Sequence, residues 1–157
     1  MQIWFKDRYH RMKIQSRQMI RLVEKLLGEM GEYSAEVGLV LVGDTEMRRL
    51  TRQYRGIDQS TDVLTFPMRE KGESSNKNKM TGTWQLDTGY SLLGDVVISV
   101  PVARKQALQQ GHSLQQEMTL LMIHGLLHLL GYDHEQSVAD ARVMKRKEKR
   151  LLQMVSE

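Results

Sequence analysis

The chain has no cysteine among its 157 residues. Disulfides and thiolate metal sites are therefore excluded, an absence that suits a reducing compartment. There are two prolines, Pro67 and Pro101, so helices and strands are seldom interrupted. No stretch approaches the roughly 18 consecutive apolar residues of a membrane span. The first residues, Met1-Gln2-Ile3-Trp4-Phe5-Lys6-Asp7, offer neither a long apolar core nor a small-residue cleavage site, so no signal peptide is expected. These absences predict a soluble, cytoplasmic protein without a membrane partner.

What is present fits one globular domain spanning residues 1–157. A chain of this length buries roughly 70% of the surface it exposes unfolded, and 40% of it is hydrophobic against 27% charged. The net charge is +4 and the sequence pI about 9.4. That balance favours a polyanionic partner only if the charge gathers on one face.

Apolar periodicity then divides the chain. A short strand is expected over 2–8 and an amphipathic helix over 14–30, where Met19, Val23, Leu26 and Leu27 recur at helical spacing. Residues 37–42 are apolar on both faces, as in a central strand. Asp44 follows as the expected N-cap of a helix to about Tyr54. Residues 62–66 form a second strand stopped by Pro67. Residues 68–91, rich in Gly, Ser, Asn and Lys, form a long loop in which Trp84 and Tyr90 stand out. A strand over 94–100 and a helix from Pro101 to Gln110 come next. Ser113 and Gln116 make a capping-box pattern for a helix apolar almost all round from Met118 to Leu130, the expected buried central helix. Ser137 with Asp140 opens a last helix to about Met154. Its expected inward face holds Val138, Ala141, Met144, Leu151 and Leu152, and its basic face holds Arg142, Lys145, Arg146, Lys147, Lys149 and Arg150.

The central helix carries the chemistry. His124 and His128 are four residues apart and so share one helix face. Gly131 offers a helix stop, and His134 follows as the chain turns back. Three imidazoles in this pattern make a three-nitrogen site that leaves one coordination position open, as catalytic zinc requires. Three core histidines satisfied by backbone carbonyls are the bland alternative, and the spacing argues against it. Metzincin proteases use the same spacing with glutamate as general base after the first histidine. Here that position is Gly125, which cannot move a proton, so peptidase chemistry is not expected. Asp133 is either a second partner for a ligand histidine or a plain turn residue.

The stretch His124-Gly125-Leu126-Leu127-His128-Leu129-Leu130-Gly131-Tyr132-Asp133-His134 closely resembles the signature of the YbeY-type endoribonucleases, the bacterial rRNA maturation factors. Two further blocks agree in order and separation. One is Tyr54-Arg55-Gly56-Ile57-Asp58-Gln59-Ser60-Thr61-Asp62-Val63-Leu64-Thr65-Phe66-Pro67, and the other is Leu93-Gly94-Asp95-Val96-Val97-Ile98-Ser99. Ser60 stands where the family often has proline and Thr65 where it often has serine, and the 68–91 loop is longer than in many members.

The resemblance implies an α+β fold with one small mixed sheet. It implies one zinc ion held by His124, His128 and His134. It implies a metal-dependent endoribonuclease acting on single-stranded RNA, in 3′-end maturation of small-subunit ribosomal RNA and in ribosome quality control, with ribosomal RNA and the ribosome as partners. The family's functional arginine maps onto Arg55, so Arg55 and His124 are the candidate catalytic residues. By spacing alone Arg55 reads as a surface partner of Asp58, and only the resemblance reverses that. An arginine offers a bidentate fork to phosphate oxygens. Asp62 and Asp95, at strand starts, are expected to anchor backbone or ligands rather than act as bases. Attack on the phosphodiester by water or by the substrate's 2′-hydroxyl fits equally. The alternative from another class is a ribosome-assembly factor whose zinc is structural and which binds RNA without cutting it.

Overall fold

In β2, Ala35–Val42, successive side chains alternate between two buried faces. Val37, Leu39 and Leu41 join one core cluster, while Val42, flanked by Val40, joins another. That two-faced burial is why the strand sits inside the sheet. The computed structural model describes residues 1–12, 14–68, 91–132 and 137–156. Around β2 lie β1 (Gln2–Asp7), β4 (Ser91–Ser99) and β3 (Val63–Pro67), in the order β1-β2-β4-β3. The first two pairings are parallel and the last antiparallel. The small mixed sheet of the α+β expectation is present.

β4 begins three residues before its expected start, so Ser91 belongs to a strand; the rest of the loop expected over 68–91, from 69 to 90, lies outside the described residues. β4 also ends one residue early, because Val100 already opens a helix. Pro67 is the last residue of β3 rather than the residue beyond it. Its missing N–H is tolerated because β3 is an edge strand. Trp84 and Tyr90 lie outside the described residues.

The helices are distributed unequally. α1 (Ser16–Glu29), α3 (Val100–Gln110), α4 (Leu114–Leu129) and α5 (Val138–Ser156) contribute to the larger core, with Val96 and Ile98 from β4. α4 is buried at Met118, Met122, Ile123, Leu126 and Leu127, which makes it the central helix its all-round apolar sequence predicts. Each such aliphatic side chain contributes about 1.5–3 kcal/mol of transfer free energy. Among the described residues the opposite face is covered only in part, by α2 (Asp44–Arg55), through Met47 on Val97 and Leu64.

Several local expectations meet the structure at residue level. The capping box of α4 is complete: Gln116 N–H donates to Ser113 Oγ at 3.1 Å, and Ser113 N–H to Gln116 Oε1 at 2.9 Å. Asp140 N–H donates to Ser137 Oγ at 3.0 Å. Asp44, however, is the first helical residue and not the cap. Gly43 holds the cap position without a side-chain bond, and Asp44 serves as an acid in the first turn, favoured there by the helix dipole. Val138 is 70% exposed rather than inward, since α5 reaches the core only from Met144 onward.

Candidate metal centre

α4 ends in a Schellman turn. Gly131 N–H donates to His128 O at 3.0 Å, and Tyr132 N–H to Leu127 O at 3.0 Å. Gly131 has φ +97°, a conformation that glycine reaches without strain. The turn reverses the chain immediately after His128, which is what a third ligand beyond the helix needs. His134 and Asp133 lie outside the described residues.

His124 and His128 do converge. Their Nε2 atoms are 3.0 Å apart and their rings meet edge to face, with centroids 4.5 Å apart. Two nitrogens bound to one tetrahedral zinc at 2.0–2.1 Å stand about 3.3 Å from each other. The pair therefore fits two ligands of one ion, with a shift of a few tenths of an ångström. Both side chains are part-buried, so the site is reachable from solvent. Among the described residues no cluster of three His, Asp or Glu ligands forms.

Sequence reasoning missed Glu148. Its Oε1 lies 3.5 Å from His124 Nδ1, with the two side chains 30% and 31% exposed. A carboxylate on that side favours the tautomer with the proton on Nδ1 and leaves Nε2 as a bare ligand nitrogen. Glu148 sits among the lysines and arginines of α5, a charge run that gave no sign of it. Its neighbour Lys147 is also engaged, with Nζ 5.5 Å from the centroid of the Tyr132 ring. α5 thus backs the histidines and the turn together.

Gly125, between the two histidines in sequence, lies against the sheet. A Cβ there would stand 2.7 Å from Val96 Cγ1 and 3.5 Å from Val63 Cγ2. Its lack of a side chain is a packing requirement as well as a missing base.

Arg55 is the last residue of α2, on the other side of the sheet from α4. Asp58 does not pair with it. Arg48 holds Asp58 through two bonds of 2.9 and 3.1 Å, with Arg52 at 3.8 Å, and these hydrogen bonds keep the Asp58 carboxyl below its usual range. Among the described residues the exposed Arg55 makes no hydrogen bond or ion pair. The elements nevertheless meet at one edge. Tyr54 packs on Phe66 of β3 at 5.1 Å, and Gly125 faces Val63 of the same strand from the other side.

Asp62 anchors backbone as expected: Val63 N–H donates to its Oδ1 at 2.7 Å, and Gln106 Nε2 to its Oδ2 at 3.3 Å. Among the described residues Asp95 makes no such bond: it sits in mid-strand on the exposed side, pointing away from the histidines, and partial burial raises its carboxyl above the ordinary range.

Comparison with known proteins agrees with the motif. Residues 4–156 match the model of the family described as Endoribonuclease YbeY. A Moorella thermoacetica protein named Endoribonuclease YbeY is 46% identical over 77% of this chain and 72% of its own length. One of the same name from Desulforamulus reducens is 42% identical over 86% and 85%. The solution structure of TM1509 from Thermotoga maritima superposes with a TM-score of 0.63 at 26% identity, covering 96% of this chain and 86% of that one.

Proposed function

The chain belongs to the YbeY endoribonuclease family, a family of hydrolytic nucleases, and from that premise we propose that it is a zinc-dependent enzyme cutting single-stranded RNA. Its setting would be the cytoplasm, with ribosomal RNA and the ribosome as partners. Its roles would be 3′-end maturation of small-subunit rRNA and ribosome quality control. The observation that carries the metal reading is the convergence of His124 and His128 Nε2 at 3.0 Å on the open side of a buried helix.

His124, His128 and His134 would hold the ion. Zinc, when bound, supplies Lewis acidity that polarises a phosphoryl oxygen and acidifies the attacking hydroxyl. The chain's own groups do the rest. Glu148 orients the His124 ring through Nδ1. Arg55 would contact the scissile phosphate and offset the charge that develops there, a contribution of about 3 kcal/mol if it acts like one oxyanion donor. Its lack of a partner among the described residues leaves the guanidinium available for this. With Gly125 at the position of the protease base, no carboxylate on α4 is placed to take the proton.

Membership in a nuclease family outweighs the reading as an assembly factor that binds without cutting. The test is to incubate the metal-loaded protein with an unstructured RNA and with a duplex of the same sequence. Cutting of the single strand with the duplex spared is expected. Equal cutting of both, or of neither, overturns the proposal. A cyclic phosphate on the product ends identifies the 2′-hydroxyl as attacking group, and its absence identifies water.

A further inference from the structure

Among the described residues, the sheet face turned away from the histidines is only half covered, and it exposes aromatic and charged side chains. Register places Trp4, Gly38, Asp95 and Phe66 side by side in one row across β1, β2, β4 and β3. Trp4 is 59% exposed at the β1 end of the row. Tyr54, also 59% exposed, stands over Phe66 at the other end. Beside Tyr54 and Phe66 a groove of about 320 Å³ runs along α2 towards Lys6 of β1, two residues beyond Trp4, large enough for a nucleoside. Its floor is aliphatic, from Val40, Val42 and Val97, and Lys6 and Arg8 stand along its rim.

Two carboxylates line the groove, Asp95 and Glu46, and Glu46 is taken up by Arg8. The Asp95 carboxylate lies across Gly38, where a Cβ would collide with it. Among the described residues no hydrogen bond or ion pair engages it. Of the two cations, Arg8 is already bonded to Glu46 at 2.6 Å, while Lys6 makes no ion pair among the described residues. The groove therefore asks for a flat apolar body with N–H donors on one edge and an anion on the other.

That description is a nucleotide. We propose that this groove is a second RNA site, distinct from the histidine centre, that takes one unpaired guanine of a single strand. The base lies on the valine floor beside Tyr54, its N1–H and exocyclic N2–H donate to the Asp95 carboxylate, its phosphate lies by Lys6, and the neighbouring base stacks on Trp4. Guanine is preferred because two adjacent parallel donors match the two oxygens of a carboxylate. Single strands are commonly held by aromatic platforms and read along their base edges in this way. The inference rests on the reading of the protein as an RNA enzyme, and it assigns the far face of the sheet to holding a strand that is cut at the other.

The test is fluorescence anisotropy of a labelled, unstructured uridine oligomer with one central guanosine, against the same oligomer without it, on the full chain. The wild type is expected to prefer the guanosine strand at least about fivefold. Asp95→Asn should erase that preference, and Lys6→Glu should weaken both strands about tenfold. Wild-type affinities in both variants, or no preference in the wild type, overturn the site. Cleavage of the same oligomers is scored separately. A protein that binds with this preference but cuts nothing keeps the groove and sinks the nuclease reading. One that cuts while both variants bind like wild type does the reverse.

Discussion

Gly125 rests on Val96 so closely that a β carbon would stand 2.7 Å from Val96 Cγ1, and Val96 is fully buried. This contact fixes how near the histidine helix approaches the sheet. Gly125→Ala gains about 1 kcal/mol of helix propensity but forces a stiff, β-branched neighbour to move, at about 1–3 kcal/mol. A net loss of about 1 kcal/mol is expected in urea denaturation, recovered in part when Val96→Ala is added. A Gly125→Ala variant more stable than wild type would contradict the contact.

Glu148 is expected to matter through His124 rather than by itself. Glu148→Gln removes the carboxylate facing Nδ1 and should lower metal affinity about tenfold, measured by competition with a chromophoric chelator. Stability without metal should change by less than about 0.5 kcal/mol, as for an ordinary surface substitution. Unchanged metal affinity would remove Glu148 from the site.

Arg55→Ala separates catalysis from folding. The side chain is exposed and bonded to nothing among the described residues, so the melting temperature should stay within about 1 °C of wild type. RNA cleavage should fall about 100-fold. A variant that cuts as fast as wild type returns Arg55 to the ordinary surface.

Asp95 carries a pH signature. Partial burial raises its carboxyl above the ordinary aspartate value of 3.8. Between that value and the raised one the folded state holds the proton more tightly than the unfolded state. Stability contributed by this group is therefore lost as pH rises through the window. Lys6, Arg8 and Glu46 line the same groove and are common to both proteins compared. The advantage of Asp95→Asn over wild type should grow from about pH 4 upward and then level off. A difference that is flat, or that shrinks, in urea unfolding across that range would contradict the burial account.

Much of this was legible beforehand for physical reasons that differ by residue. His124 and His128 announced themselves because polar rings in an otherwise apolar helix need a partner, and Gly131 and Ser113 because turns and caps have local chemistry. Asp44 misled because a good capping side chain at the right place looks the same whether it is the cap or the first helical residue. Glu148 was invisible because its role depends on how α5 crosses α4, a tertiary fact hidden in a run of charges. The same holds for Arg55 and Asp58: spacing suggested the pair, but helix geometry gave Asp58 to Arg48. The half-open sheet face was illegible because exposure of Trp4 depends on which helices cover which side.

The central claim is that the paired histidines hold the metal on which RNA cleavage depends. The most direct measurement is the initial rate on an unstructured RNA for metal-loaded wild type, chelator-treated wild type and a His128→Ala variant shown to be folded. Cleavage by the first alone, restored to the second by added zinc, is the result expected. Cleavage by the variant or by the metal-free protein at the wild-type rate would contradict it.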